Sequence, residues 1–296
     1  MPKPDAALKE FLKDNDVYAA VFNGYFFDGR TVFDPKDLEP ENVAYAESVN
    51  TKQRVEKINK YRDNVRRTSK GFLIILGIDD QNKIHYSMPV RKMLYDVLGY
   101  SSEIKMLGKI QDQSSWTVDE RLSGVAKGTK VTPIVTVVLY TGEDEWDGPR
   151  SLHDMMDIDE EVKPFVPDYT LYVIDIGHDE KISFPNKSLE ELRIVLSAIY
   201  SDTADKNDTE IDTAILALAA ILSGDGNLYK AAQSEAGRRQ KMCKVLERRD
   251  ERIFLQFKSQ LEEKDAALEE NRVALEEKDA EIAKLRAQIA ELSGKQ

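Results

Sequence analysis

The chain has a single cysteine, Cys243, among its 296 residues, so neither an intrachain disulfide nor a cysteine-ligated zinc site can form. Long apolar runs are also missing. The longest, about Ile215 to Leu222, is far short of the roughly 20 residues that span a bilayer. No glycine-rich phosphate loop is present, and the three histidines lack the spacing of a zinc site or a catalytic triad. We therefore expect a cytoplasmic protein with no membrane partner.

Basic residues are the minority, with 42 Lys and Arg against 54 Asp and Glu and a net charge of -12. Because DNA affinity rests on lysine and arginine meeting phosphates, this balance argues against a general polyanion binder. Residues 51–70 reverse the sign, with eight basic residues against two acidic ones. The eight are Lys52, Arg54, Lys57, Lys60, Arg62, Arg66, Arg67 and Lys70. A nucleic-acid site is expected in this segment.

Apolar patterning predicts an α/β protein. Three strand-length apolar runs, rich in β-branched residues, cover 72–78, 131–140 and 169–175. Segments with apolar residues at helical spacing lie between and around them, at 5–22 (closed by Asn23-Gly24), after Pro89, at 189–199 and at 211–223. Strands separated by helices favour a sheet covered by helices.

A seven-residue repeat marks the last part of the chain. One row of the repeat is Phe254, Leu261, Leu268, Leu275, Ile282 and Ile289. The companion row is Phe257, Lys264, Asn271, Lys278, Leu285 and Leu292. Such heptads predict a coiled coil, which the polar residues in the second row would weaken. A solitary solvated helix is the alternative.

Acidic residues within or next to the basic segment point to metal chemistry. Asp63 sits among arginines, and Asp79 ends the most apolar run with Gln81 two residues further on. If two strands bring the carboxylates of Asp63 and Asp79 together, they can hold a hard cation such as Mg²⁺. The metal would activate water against a phosphodiester. Each aspartate also has a simpler reading, as a surface group or as part of a hairpin turn.

Several motifs, in order, resemble the Rpn family of recombination-promoting nucleases, which includes YhgA-like transposases. They are Lys60-Tyr-Arg-Asp63, Ile75-Leu-Gly-Ile-Asp-Asp-Gln81, Ile84-His-Tyr-Ser-Met-Pro-Val-Arg91 and the block from Pro133 to His153. The similarity spans roughly residues 5–250, and its most specific part is the run from Ile75 to Tyr95.

The resemblance implies a PD-(D/E)xK restriction-endonuclease-like core, a mixed sheet flanked by helices. It implies that Asp63 and Asp79 ligate Mg²⁺, or Mn²⁺ in its place, and that Gln81 completes the catalytic set. Asp79 stands where the family has Glu, and its side chain is one methylene shorter, which puts the activity of this copy in doubt. Phosphate contacts are expected from basic residues near these positions, namely Arg62, Arg66, Arg67, Lys70 and Arg91.

The expected organisation is a nuclease-like domain at 1–203, a helical extension at 204–246 and a coiled-coil tail at 247–296. The expected function is Mg²⁺-dependent DNA endonuclease activity in recombination or mobile-element biology, with DNA as partner and a homodimer formed through the tail. The alternative is an inactive nuclease fold that binds DNA or assembles partners through the coiled coil.

Overall fold

The computed structural model describes residues 1–40, 65–77, 84–201, 209–234 and 236–293. The helices are α1 (Pro4–Phe11), α2 (Asn15–Phe27), α3 (Met88–Ile110), α4 (Val118–Ser123), α5 (Lys187–Tyr200), α6 (Thr213–Ser223), α7 (Gly226–Gln233) and α8 (Met242–Ser293). The strands are β1 (Glu39–Pro40), β2 (Val65–Thr68), β3 (Gly71–Gly77), β4 (Ile134–Tyr140), β5 (Tyr172–Asp175), β6 (Glu210–Asp212) and β7 (Arg239–Lys241). The predicted mixed α/β fold is confirmed at this level.

The main sheet of the described residues has the strand order β1-β2-β3-β4-β5. β2 pairs antiparallel with β3, while β3, β4 and β5 run parallel. The apolar runs predicted as strands at 72–78, 131–140 and 169–175 are β3, β4 and β5. β4 begins only at Ile134, after Pro133, whose nitrogen cannot donate to a ladder.

Helix α3 packs on β4 and runs antiparallel to it. Met88, at its start, lies in one buried cluster with Val138 and Tyr140, near the end of β4. Further along the helix, Asp96 bonds to Thr136, and the carboxylate of Glu103 accepts from the backbone nitrogen of Thr132, before the strand. Helix α3 therefore starts beside the end of β4 and finishes beside its beginning.

Helix α2 is longer than expected, because the predicted stop at Asn23-Gly24 is wrong. Asn23 is buried, and its side chain bonds to the backbone of Val32 and Phe33 rather than ending the helix. A Cβ at Gly24 would lie 2.7 Å from the Phe184 ring, so this glycine permits close packing inside a continuing helix. The helix ends beyond Phe27, at Asp28, which adopts a left-handed conformation.

The chain divides into two compact units, Met1–Val245 and Leu246–Gln296. The first contains the sheet and the helices around it, and the second consists of most of α8. In the described parts of the chain, no helix is both long and apolar enough to cross a bilayer.

Candidate functional site

The three parallel strands end together at one edge of the sheet, here called the carboxyl edge. The register aligns Gly77 with Leu139, and Tyr140 with Asp175. Helix α3 begins at the same edge, with Pro89 in its first turn. In open α/β sheets, ligands bind outside the carboxyl ends of the strands. This edge is therefore the first place to look for a site.

The predicted metal ligands Asp63 and Asp79, with Gln81 and Arg62, lie outside the described residues. Asp63 precedes the first residue of β2 by two positions, and Asp79 follows the last residue of β3 by two. Among the residues that the structure does describe, no group of three or more His, Cys, Asp or Glu side chains could hold a metal ion.

Arg66 is not placed to contact DNA, so its predicted phosphate role is a correction. Its side chain is buried, with the residue 4% exposed. Nε donates to Asn15 Oδ1 at 3.1 Å and Nη2 donates to the Leu12 carbonyl at 3.3 Å. The guanidinium also lies 4.8 Å from the centre of the Tyr18 ring. Arg66 instead fastens the α1–α2 junction to β2.

Arg67 and Lys70, two further predicted phosphate contacts, lie at the opposite end of the sheet from the carboxyl edge. Arg67 pairs with Phe72 at the start of β3, and five strand residues at about 3.3 Å each place it roughly 17 Å from Gly77. Lys70 is in the β2–β3 turn, donates to the Val32 carbonyl and lies over the Phe33 ring. Their predicted phosphate contacts stay a prediction, and they would fall on a part of the DNA away from the metal.

Arg91 is the predicted phosphate ligand that the described structure places near the carboxyl edge. It follows Met88 by three residues in the first turns of α3 and is half-buried. Its Nε donates to Tyr95 Oη at 3.2 Å, and the guanidinium lies 5.9 Å from the centre of that ring. Tyr95 thus orients Arg91 along the helix.

Asp175, which was not among the predicted site residues, organises the carboxyl edge. Asp175, the last residue of β5, is 4% exposed. It accepts from the Trp146 backbone nitrogen at 2.9 Å and from His178 Nδ1 at 2.8 Å, so Nδ1 carries the proton. The His178 ring stacks on Tyr200. With both oxygens engaged, Asp175 fastens the segment after β4 to the end of β5.

Tyr140, the last residue of β4, lies at the same edge of the sheet. Its hydroxyl donates to the Asp144 carbonyl at 2.7 Å, and its ring meets Trp146 edge-on. Burial, with a smaller contribution from Asp175, raises the pKa of Tyr140 to about 12. Tyr140 is therefore neutral at physiological pH and acts as a donor.

A buried ionic network holds α3 against β4. Lys92 Nζ donates to Asp96 Oδ2 at 3.0 Å, and the two side chains are 8% and 3% exposed. Asp96 also accepts from Thr136 Oγ1 at 2.6 Å and from Tyr169 Oη at 2.5 Å. Burial and the bond to Asp96 raise the pKa of Tyr169. This network fixes the helix that carries Arg91.

The sheet and the helices around it define a mixed α/β protein. A family model described as "Putative transposase, YhgA-like" matches residues 3–208. The chain therefore belongs to the YhgA-like transposase family. Searches of the curated proteins and of the solved structures found no significant match.

Proposed function

We propose that this member of the family is a Mg²⁺-dependent DNA endonuclease with a PD-(D/E)xK-type core. The observation that carries the proposal is the arrangement of β2 and β3. β2 enters the sheet from the carboxyl edge, and β3 leaves the sheet at that same edge. In the sequence, Asp63 precedes β2 by two residues and Asp79 follows β3 by two, so the proposal puts both carboxylates at this edge.

Chain connectivity supports the meeting of the two carboxylates. Consecutive Cα atoms are 3.8 Å apart, so Asp63 lies within about 8 Å of Val65, and Asp79 within about 8 Å of Gly77. Val65 pairs with Ile74, three residues before Gly77, or roughly 10 Å along the strand. These limits allow the two carboxylates to meet at one cation, as the proposal requires.

The chemistry would be that of a metal held by oxygen ligands. Mg²⁺ keeps several waters when two carboxylates bind it. A metal held there would supply a water activated for attack on the phosphodiester. Arg91, at the same edge, would contact a phosphate of the substrate backbone.

Plasmid DNA tests the proposal. The wild-type protein is expected to nick or cut supercoiled plasmid in Mg²⁺ or Mn²⁺, and Asp63→Ala is expected to lose this activity. Asp119→Ala, on the exposed face of α4, is the control and should cleave like the wild type. Asp79→Glu is expected to cleave faster, because its longer side chain restores the reach of a glutamate.

The substitution of Asp for the family's Glu at position 79 favours one alternative, a DNA-binding or assembly module without turnover. Intact plasmid across titrations of both metals, combined with salt-dependent retention of DNA, would support this alternative and overturn the endonuclease. Cleavage by Asp79→Glu alone would mean that the fold is competent and that this copy is silenced by its shortened side chain.

A further inference from the structure

The tail helix carries an uncovered apolar stripe. α8 spans Met242–Ser293, and 52 residues at 1.5 Å each give a length of about 78 Å. Leu261, Leu268 and Leu275 are 59%, 66% and 62% exposed, and Phe254 and Ile282 continue their seven-residue spacing with exposed side chains. An exposed apolar row that repeats every seven residues is typical of a coiled-coil interface.

The stripe has the dimensions of a coiled-coil seam. Its companion row, three residues further along, is Phe257, Lys264, Asn271, Lys278, Leu285 and Leu292. The segment 254–292 therefore contains five and a half heptads, and both of its ends are apolar in both rows. Polar residues occupy only the middle of the second row, where they fix register at some cost in stability.

We propose that the occupant is a second copy of this chain, paired parallel and in register along residues 254–292. In this arrangement each layer of the seam faces its own copy. The polar residues of the second row are then confined to three layers, made by Lys264, Asn271 and Lys278 with themselves. The other layers are apolar on both sides.

The antiparallel pairing over the same segment is worse. Aligning Phe254 with the partner's Leu292 sets Lys264 against the partner's Ile282 and Asn271 against the partner's Leu275. By symmetry, six layers would then combine a polar side chain with an apolar one. Burying a polar group beside an apolar one without a hydrogen bond is unfavourable, so the parallel register is preferred.

Neighbouring acidic residues offset the like-charge pairing of each seam lysine with its own copy. In a parallel coiled coil, each side chain of the second row packs between four residues of the other helix. One of these four directly follows the equivalent second-row residue of that helix. Lys264 would therefore lie beside the partner's Asp265. The same Lys-Asp order recurs at 278–279, so both seam lysines are followed by an aspartate. The acidic residues Glu262 and Glu269 fall outside the seam, and Glu269 pairs with Arg272 at 2.6 Å within the helix.

Disulfide trapping tests direction and partner together. In the full chain with Cys243→Ser, which removes the lone cysteine, Leu261→Cys and Ile282→Cys are made separately. Each is expected to form a disulfide-linked dimer under mild oxidation, because each faces its own copy. Ala266→Cys, on the opposite side of the same helix, is the matched control and should stay uncrosslinked.

Mass measurement by light scattering provides the second readout. The full chain is expected to be a dimer, Leu268→Asp a monomer, and Glu263→Ala a dimer still. A monomeric wild type would overturn the proposal, and so would a dimer that crosslinks only when Leu261→Cys is mixed with Leu285→Cys. Neither outcome depends on nuclease activity, so this proposal and the endonuclease fail separately.

Discussion

Replacing Asp96 with alanine should be the most destabilising single change in the α3–β4 contact. The substitution removes the carboxylate that pairs with buried Lys92 and accepts from Thr136 and Tyr169. It leaves one cation and two hydroxyl donors buried without their acceptor. Breaking a buried pair by removing one partner costs about 3–5 kcal/mol.

The size of this loss matters because the free energy of unfolding of a typical domain is only about 5–15 kcal/mol. A loss of about 3–5 kcal/mol would therefore remove at least about a fifth of the stability of such a domain. Thr136→Val removes one hydrogen bond to a charged acceptor, so it should cost roughly 1.5–3 kcal/mol. Asp96→Ala should thus be clearly worse than Thr136→Val.

Urea unfolding, followed by tryptophan fluorescence and circular dichroism, measures these differences. The double variant Lys92→Met with Asp96→Ala should lose less than the sum of the two single variants, because the orphaned cation is absent from it. If Asp96→Ala costs under about 1 kcal/mol, or if the single losses add to within about 0.5 kcal/mol, the network does not hold α3 as described.

Three further predictions follow from the site. Arg66→Ala should lower the urea midpoint of unfolding, because it removes a buried guanidinium and its hydrogen bonds. Arg67→Ala, at an exposed position, should leave the midpoint unchanged. Equal effects of the two variants on the midpoint would contradict the assignment of Arg66 to the interior. Arg91→Ala should weaken DNA binding and reduce the salt slope by about 1, as measured by fluorescence anisotropy, and an unchanged slope would remove Arg91 from the interface. The raised pKa of Tyr140 means that the folded state keeps a proton that the unfolded state loses. The resulting contribution to stability is present below pH 10 and is lost as the pH rises towards 12. Tyr140→Phe should flatten this decline of the unfolding free energy with pH in urea titrations, and an unchanged decline would refute the role given to Tyr140.

The three parallel strands of the main sheet could be predicted from sequence because continuous apolar runs have few alternatives. A parallel strand covered on both faces reads as a continuous apolar run, and the sequences of β3, β4 and β5 are of this kind. The limits of the elements were less predictable. Helix α2 continues past Asn23 because the Asn23 side chain bonds to the backbone of Val32 and Phe33, nine and ten residues away. Local spacing does not reveal these partners.

The roles of charged residues were harder to predict than the fold. Arg66 and Arg67 are neighbours in one basic segment, yet alternation along a strand sends one side chain inward and the other outward. Lys92 and Asp96 have the spacing of an ordinary surface pair on a helix. Their burial depends on Thr136 and Tyr169, which reach them from distant parts of the chain.

The carboxyl edge was only partly predictable for the same reason. Asp175 was visible as the end of a strand, but its bonds to Trp146 and His178 arise from how two loops meet. Conversely, Asp63, Asp79 and Gln81 were named from motifs alone, and their roles stay predictions.

Calorimetric titration of Mn²⁺ tests the central claim most directly. The wild-type protein should bind one or two ions per chain, and Asp63→Ala and Asp79→Ala should each abolish that binding, while Asp119→Ala should retain it. A wild-type protein that binds no divalent ion, or binding that survives both substitutions, would contradict a metal site at the carboxyl edge.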